Sequence, residues 1–407
     1  MIQLSREQAQ RFILHKQGLL TNNQLNSSLD VVKRIHNIQI DTISVVSRSH
    51  NLILFNRFNG YIEKTIWDLL EQKEVFEFWS HAMCFLPIEE YPYYLWKAKL
   101  FSEGIGSWWA GWAEKSKHII EEVYEYVKKN GPTTSSDFKN TSKKPGGWWN
   151  WKDEKAALDI LYSLGKLMIS YRKNFQRYYD LTERVLPARI SNEPLPKDEL
   201  PNYLLKIVLS SIGIVNYDEL KTYTGNAIAK FIWKNNKKNA IEFLDQNVED
   251  GLLETVAIDG INENFYMLAS ECKEISKIDN FTNDYIAFIS PFDNLIRERY
   301  LPEKFWNFEY KIECYVPEPK RKYGYYVLPI LDNSQFIGRT DVKVHRKEQK
   351  LELKSIYFES NIHIDDDILE RFYKGLQKFA NFHECKEIVI GNVYPKDYEN
   401  QIKSLII

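Results

Sequence analysis

What most constrains this chain is an order of helix and strand patterns that occurs twice. Between Lys117 and Pro187, "KHIIEEVYEYVKKNG" has the periodicity of an amphipathic helix stopped at Gly131, a residue suited to a helix C-terminus. "TTSSDF" carries the capping residues of a short second helix, and "WKDEKAALDILYSLG" reads as a third. "KLMISYRKNFQRYYDL" reads as two strands turned at Lys173-Asn174. Helix, turn, helix and then a hairpin is the winged-helix arrangement. From Pro201 to Ser270 the order returns in "YLLKIVLSSIGI", "NYDELKTYTG", "NAIEFLDQNVEDG" and "LLETVAIDGINENFYML", and two similar passages support each other. The linker "SNEPLPKDELP" between them carries three prolines in a polar run, as a domain boundary does.

Before these passages, Ser5 can cap a helix whose Ala9, Phe12 and Ile13 share one face, and a second helix follows from Leu29. "NIQIDTISVVS" reads as a strand because it is rich in β-branched residues and alternates, which puts Gln39 and Asp41 on one face. "HNLILFNRF", "EKTIWDLLEQ" and "EVFEFWSHAMCFLP" complete the first unit. From Phe281 onward strand patterns dominate, followed by a helix near Asp366 to Asn381 and a last strand at "EIVIG". The expected fold class is therefore α+β, with units over 1–100, 117–187 and 201–272 and a β-rich C-terminal domain over 281–407.

The 407 residues, 44% of them hydrophobic, can bury a large core, and the length implies more than one domain. A formal net charge of -2, from 54 basic and 56 acidic residues, gives no general attraction for phosphate, so any nucleic-acid surface must be a local patch. No apolar run reaches the roughly 18 residues of a membrane-spanning helix, and Arg6, Glu7 and Arg11 stand where a secretory signal would be apolar. The expectation is a cytoplasmic protein without a membrane partner. Cys84, Cys272, Cys314 and Cys385 show no ligand spacing, so no metal site or disulfide framework is indicated.

Common phosphate-loop, metalloprotease and nucleophile-elbow motifs are absent from the sequence, so candidate chemistry rests on polar residues in unusual places. Gln39 and Asp41 interrupt an apolar β-branched stretch; either they face solvent from a half-wet strand or they are held there for a purpose. Three basic passages have aromatic neighbours. They are Arg48 to His50, then Arg172, Lys173 and Arg177 at the tip of a wing, and Lys320, Arg321, Lys322 and Tyr323 at a second hairpin tip. Each is either a solvated loop or a DNA contact. His81 reads as a core histidine, Asp293 and Asp341 as turn and ion-pair residues of the C-terminal domain, and Trp148, Trp149 and Trp151 as packing aromatics.

The segments "IQIDTISVVSRSHNLILFNR", "FEFWSHAMCFLP", "GGWWNWK", "FQRYYDLTERVLP", "ISPFDNLIRERY" and "YVPEPKRKYGYYVLPIL", in this order, resemble the winged-helix DNA glycosylases of the YcaQ/AlkZ type across nearly the whole chain. The resemblance implies three tandem winged helices around a basic channel for duplex DNA, with the first of them carrying the catalytic strand. It also implies a catalytic signature of Gln, an apolar residue, then Gln or Asp, matched by Gln39-Ile40-Asp41 in the form ending in Asp. That branch looks broad, acting on N7-alkylguanine adducts and on interstrand crosslinks, whereas the Gln-ending branch resembles self-resistance enzymes for one bulky lesion. A β-hairpin of the family that enters the DNA cleft is matched to Pro319 to Tyr326.

On this reading the expected enzyme is a monofunctional glycosylase that leaves abasic sites, without cofactor, metal or lysine Schiff base. Asp41 would stabilise an oxocarbenium-like sugar and orient or deprotonate water, and Gln39 would hold that water or the sugar. The expected partner is duplex DNA with alkylated or crosslinked guanine, bound by a monomer at the nucleoid in a cleft open enough for a base tied to the opposite strand. The rival reading is a noncatalytic winged-helix DNA-binding protein or regulator.

Overall fold

A computed structural model describes residues 1–20, 25–104, 110–138, 153–278, 281 and 283–406. They form two compact units, one comprising Met1–Ile62, Lys206–Tyr223 and Lys237–Ile407, the other Glu63–Leu205 and Thr224–Asn236. The ranges 1–100 and 201–272 read from the sequence thus each contribute to both units. Trp148, Trp149 and Trp151 lie outside the described residues.

In the first unit, Ser5 caps the helix Arg6–Lys16 in a capping box with Gln8, as its spacing indicates, and Ala9, Phe12 and Ile13 are buried. The helix Ser28–Ile35 follows, capped by Ser27. The hairpin Leu253–Ile258 and Ile261–Leu268 gains a third strand, Ile2–Leu4, paired in parallel with Val256 to Ile258. A pairing between residues this far apart in sequence leaves no local pattern to read.

The C-terminal part of this unit is a five-stranded sheet, ordered Glu387–Tyr394, Lys350–Phe358, Gln335–His345, Val327–Asp332 and Ala287–Phe288. The helix Asp366–Phe382, capped by Asp365, makes the crossover between the two parallel strands Lys350–Phe358 and Glu387–Tyr394. Gly375 lets this helix lie against Ile286, whose carbonyl oxygen a Cβ there would meet at 2.5 Å. A bulge opposite Asp341/Val342 resets the alternation, so that Leu351 and Leu353 before it and Ile356 and Phe358 after it all enter one core. Val46 and Leu52, from near the other end of the chain, belong to the same core.

A buried ion pair joins those two ends. Arg57 and Asp293 are both fully buried, with guanidinium-to-carboxylate distances of 2.7 and 2.8 Å. Arg57 also donates to the Gln17 carbonyl at 2.7 Å and to that of Ile53 at 3.2 Å. Asp293 does serve an ion pair, but its partner lies in the N-terminal part of the chain.

In the second unit, two hairpins, Val75–Trp79 with Met83–Pro87 and Leu167–Lys173 with Gln176–Leu181, stand among the helices Tyr91–Ser102, Lys117–Asn130 and Asp153–Ser163. The "TTSSDF" segment forms a 3-10 turn, Ser135–Asp137, in place of the expected helix. The proline-rich "SNEPLPKDELP" segment is tied down: the Trp96 indole donates to the Leu195 carbonyl at 2.8 Å.

Removing one partner of a buried pair strands the other charge. Asp293→Ala is expected to destabilise the protein by about 3 to 5 kcal/mol in equilibrium unfolding, and the joint replacement Arg57→Met with Asp293→Leu to cost less.

Candidate active site

The strand expected over "NIQIDTISVVS" is much shorter: only Ile38–Gln39 is strand, and 40–44 has no regular structure. The β-branched composition serves packing instead. Val46 lies in the core of the C-terminal sheet, and Ile43 and Val45 pack against it. The Val344 amide donates to the Val45 carbonyl at 3.1 Å, and Arg346 donates to the carbonyls of Ser44 at 3.1 Å and Val46 at 2.6 Å. The chain after Asp41 is thereby fastened along the turn that joins Gln335–His345 to Lys350–Phe358.

This docking decides the state of the candidate catalytic pair. Gln39 is half-buried at the end of its strand. Asp41 is only 9% exposed. Its Oδ1 accepts the Thr42 amide at 2.8 Å, whereas Oδ2 is buried with no hydrogen-bond partner among the described residues. Burial raises the Asp41 carboxyl above its ordinary value, against the opposing pull of the Ile43 and Thr42 amides and of the Arg48 charge. Of the two readings the alternation left open, a solvent-facing Asp41 is the one the structure removes. A buried acceptor left unmade costs about 1 to 3 kcal/mol, a penalty more often met at sites of chemistry than in ordinary packing.

Arg48 is half-buried just before the helix Ser49–Phe55. His50, in the first turn of that helix, is 0% exposed and offers no surface to a phosphate. In the second unit, Arg172 is bound bidentately to Glu77, both distances 2.6 Å, so its charge is spent inside the fold. Arg177 is half-buried, 3.5 Å from Asp159. Lys173 alone of this trio is exposed, beside a turn at Asn174 and Phe175, both with positive φ, one residue later than expected.

The segment Pro319 to Tyr326 is not a β-hairpin. A 3-10 turn, Glu318–Lys320, overlaps its start, inside a loop organised by the Glu313 carboxylate, which accepts the amides of Lys322, Tyr323 and Gly324 at 2.9, 2.8 and 3.0 Å. Burial works against the charge on Glu313, but those three amides hold its carboxyl below the ordinary range. Gly324 is required where the loop meets the sheet, since a Cβ there would lie 2.4 Å from the Asp341 carboxylate. Asp341, read as a structural residue, accepts the Tyr326 amide at 3.2 Å. Lys320 and Lys322 are exposed, Arg321 is half-buried over the Tyr325 ring, and Tyr323 lies edge-on to Tyr357.

Two features went unread in the sequence. The loop ending at Tyr326 comes close to the candidate carboxylate, since Tyr325 and Tyr326 pack in the same core as Ile43 and Val45; burial first, and the negative charge of Asp41 after it, disfavours ionisation of Cys314, Tyr315 and Tyr326. The hairpin that does adjoin the Asp41 segment is Gln335–His345 with Lys350–Phe358, where Lys343, Arg346 and Lys347 are exposed. The signal was the basic run in "KVHRKEQK", which a mixture with acidic and amide residues made easy to pass over.

Residues 32–373 match the family described as DNA glycosylase AlkZ-like. The chain belongs to the AlkZ-like DNA glycosylase family. Among solved structures it is similar to the DNA glycosylase AlkZ of Streptomyces sahachiroi, with a TM-score of 0.66 and 15% identity, covering 96% of this chain and 100% of that one. This family member is therefore an enzyme, a DNA glycosylase of α+β fold with DNA as its partner, and the rival noncatalytic reading falls. No helix among the described residues is long and apolar enough to cross a membrane.

If Arg346 fastens the segment after Asp41, Arg346→Ala should speed hydrogen exchange at the Val344 amide and slow base excision. Unchanged exchange at Val344 would show that the guanidinium holds nothing.

Proposed function

We propose that this enzyme excises cationic N7-alkylguanine from duplex DNA and unhooks interstrand crosslinks made through that atom, leaving abasic sites, with Asp41 and Gln39 as its catalytic residues. The observation that carries the reading is the Asp41 carboxylate, buried at the edge of the docked segment with one oxygen unpartnered.

The chemistry needs little more than that. An alkyl group on N7 makes the guanine ring cationic, so when the C1′–N9 bond breaks its electron pair neutralises the departing base. The positive charge passes to the sugar, and an anionic Asp41 stabilises it more strongly there than in the ground state. Water then bonds to C1′, and its proton is taken by the Asp41 carboxylate or by solvent. Gln39, with an amide that both donates and accepts, orients that water. Because Oδ2 is closed to solvent in the free protein, binding of DNA must shift Asp41 and its immediate neighbours, which neither helix nor strand holds, ahead of the point where Arg346 fastens Ser44. On this reading the exposed Lys320, Lys322, Lys343 and Lys347 supply the phosphate contacts, making the local patch that a net charge of -2 requires.

Incubation with duplex DNA carrying one N7-methylguanine, or a mustard crosslink, followed by alkali, should reveal strand breaks at the lesion. Asp41→Asn is expected to slow excision on the order of a thousandfold and Gln39→Ala by about tenfold or more. No abasic sites with wild-type protein, or full activity in Asp41→Asn, would defeat the reading. Excision of the monoadduct without release of the crosslink would confine it to monoadducts.

A further inference from the structure

An exposed aromatic side chain is ordinary on any protein surface. Tyr315 is not ordinary in its position. It is the most exposed tyrosine among the large hydrophobic residues, at 75%, and Glu313 ties its loop to the residues just before Tyr325 and Tyr326, which pack in the same core as Ile43 and Val45 of the Asp41 segment. Its ring contributes little to the core, yet the loop that carries it is braced. Glu313, two residues before it, accepts three backbone amides from the far side of the loop, and Arg321 donates to the Val316 carbonyl at 2.9 Å, one residue after it. A ring held out in solvent by a loop already ordered loses little entropy when something covers it.

From this placement we infer that Tyr315 is a specificity-determining residue, whose ring face receives the positively charged purine while Asp41 acts at the sugar. The inference rests on the proposed substrate class. Normal guanine is neutral and N7-alkylguanine is a cation of nearly the same shape, so hydrogen bonds to the shared edges cannot separate the two well. The electron-rich face of a phenol ring attracts cations and is indifferent to neutral rings beyond ordinary stacking. Phenylalanine keeps this property and leucine does not. Tyr315 and Asp41 then divide the work, the ring answering charge on the base before the bond breaks and the carboxylate answering charge on the sugar afterwards.

The test compares two duplexes, both with a 2′-fluoro sugar at the lesion, which opposes positive charge at C1′ and keeps the glycosidic bond intact. One carries N7-methylguanine, the other the neutral, equally shaped 7-deaza-7-methylguanine. By fluorescence anisotropy, wild-type protein should bind the cationic duplex on the order of fivefold tighter. Tyr315→Phe should keep that ratio, and Tyr315→Leu should bring it close to one by losing more affinity for the cationic duplex than for the neutral one, with thermal unfolding unchanged. A wild-type ratio of one, or a full ratio in Tyr315→Leu, overturns the inference. Excision from the unfluorinated duplex is measured alongside: its absence in wild type would sink the proposed substrate class, whereas excision with an unaltered ratio in Tyr315→Leu sinks only the role of Tyr315.

Discussion

The Arg57–Asp293 pair is the contact on which the candidate site depends. A charge pair with no solvent exposure gains little net stability over a hydrophobic pair of the same size, because desolvation offsets most of the attraction. What it supplies is uniqueness of docking. The guanidinium has its full set of partners only when the end of the first helix, the helix Ser49–Phe55 and the loop at Asp293 are all in place, since it bonds to Gln17, Ile53 and Asp293 together. Neighbouring bonds repeat the same junction. Asn56 donates to the Phe288 carbonyl at 2.9 Å, Asn294 to the Ile35 carbonyl at 3.0 Å, and the Ser49 and Ser290 hydroxyls meet at 2.8 Å.

The state of Asp41 follows from that docking. With the N-terminal helices seated on the C-terminal sheet, Val46 and Leu52 enter its core, and the connecting segment must run along the sheet's hairpin turn, where Arg346 and the Val344 amide meet its carbonyls. Asp41 lies at the start of that run, buried as a consequence and raised in affinity for its proton. A carboxylate desolvated in this way, with one oxygen unpartnered, is a stronger electrostatic partner for a developing sugar cation than one in water. The same sheet carries the loop of Glu313 and Tyr315, so one packed core positions the carboxylate and the ring alike.

Much of the local structure was legible. The Ser5 cap, the helix ended by Gly131, the hairpin from Leu167 to Leu181 and the C-terminal helix all follow from residues within a turn or two of one another. What was not legible depends on partners far along the chain. Nothing near Ile2 announces a strand that pairs with Val256, and nothing near Arg172 announces that Glu77 will occupy it. "NIQIDTISVVS" has a strand's composition, but its apolar residues pack on a distant sheet and its carbonyls are taken by Arg346 and Val344. The aromatic and basic run after Pro319 looked like a hairpin tip, whereas the Glu313 carboxylate turns it into a loop. At the candidate site the residue types were visible and their burial was not, because burial is decided by the other end of the chain.

The most direct measurement is the rate of N7-methylguanine excision under single-turnover conditions as a function of pH, for wild type beside Asp41→Asn. On the proposed mechanism Asp41 acts as the anion, and burial lifts its carboxyl above the ordinary range. The wild-type rate, corrected for spontaneous depurination, is therefore predicted to fall as pH drops through a titration displaced above ordinary carboxylates, while the small residual rate of Asp41→Asn stays level across that range. A level wild-type rate there, or the same fall in Asp41→Asn, would contradict the assignment of Asp41 as the group that carries the chemistry.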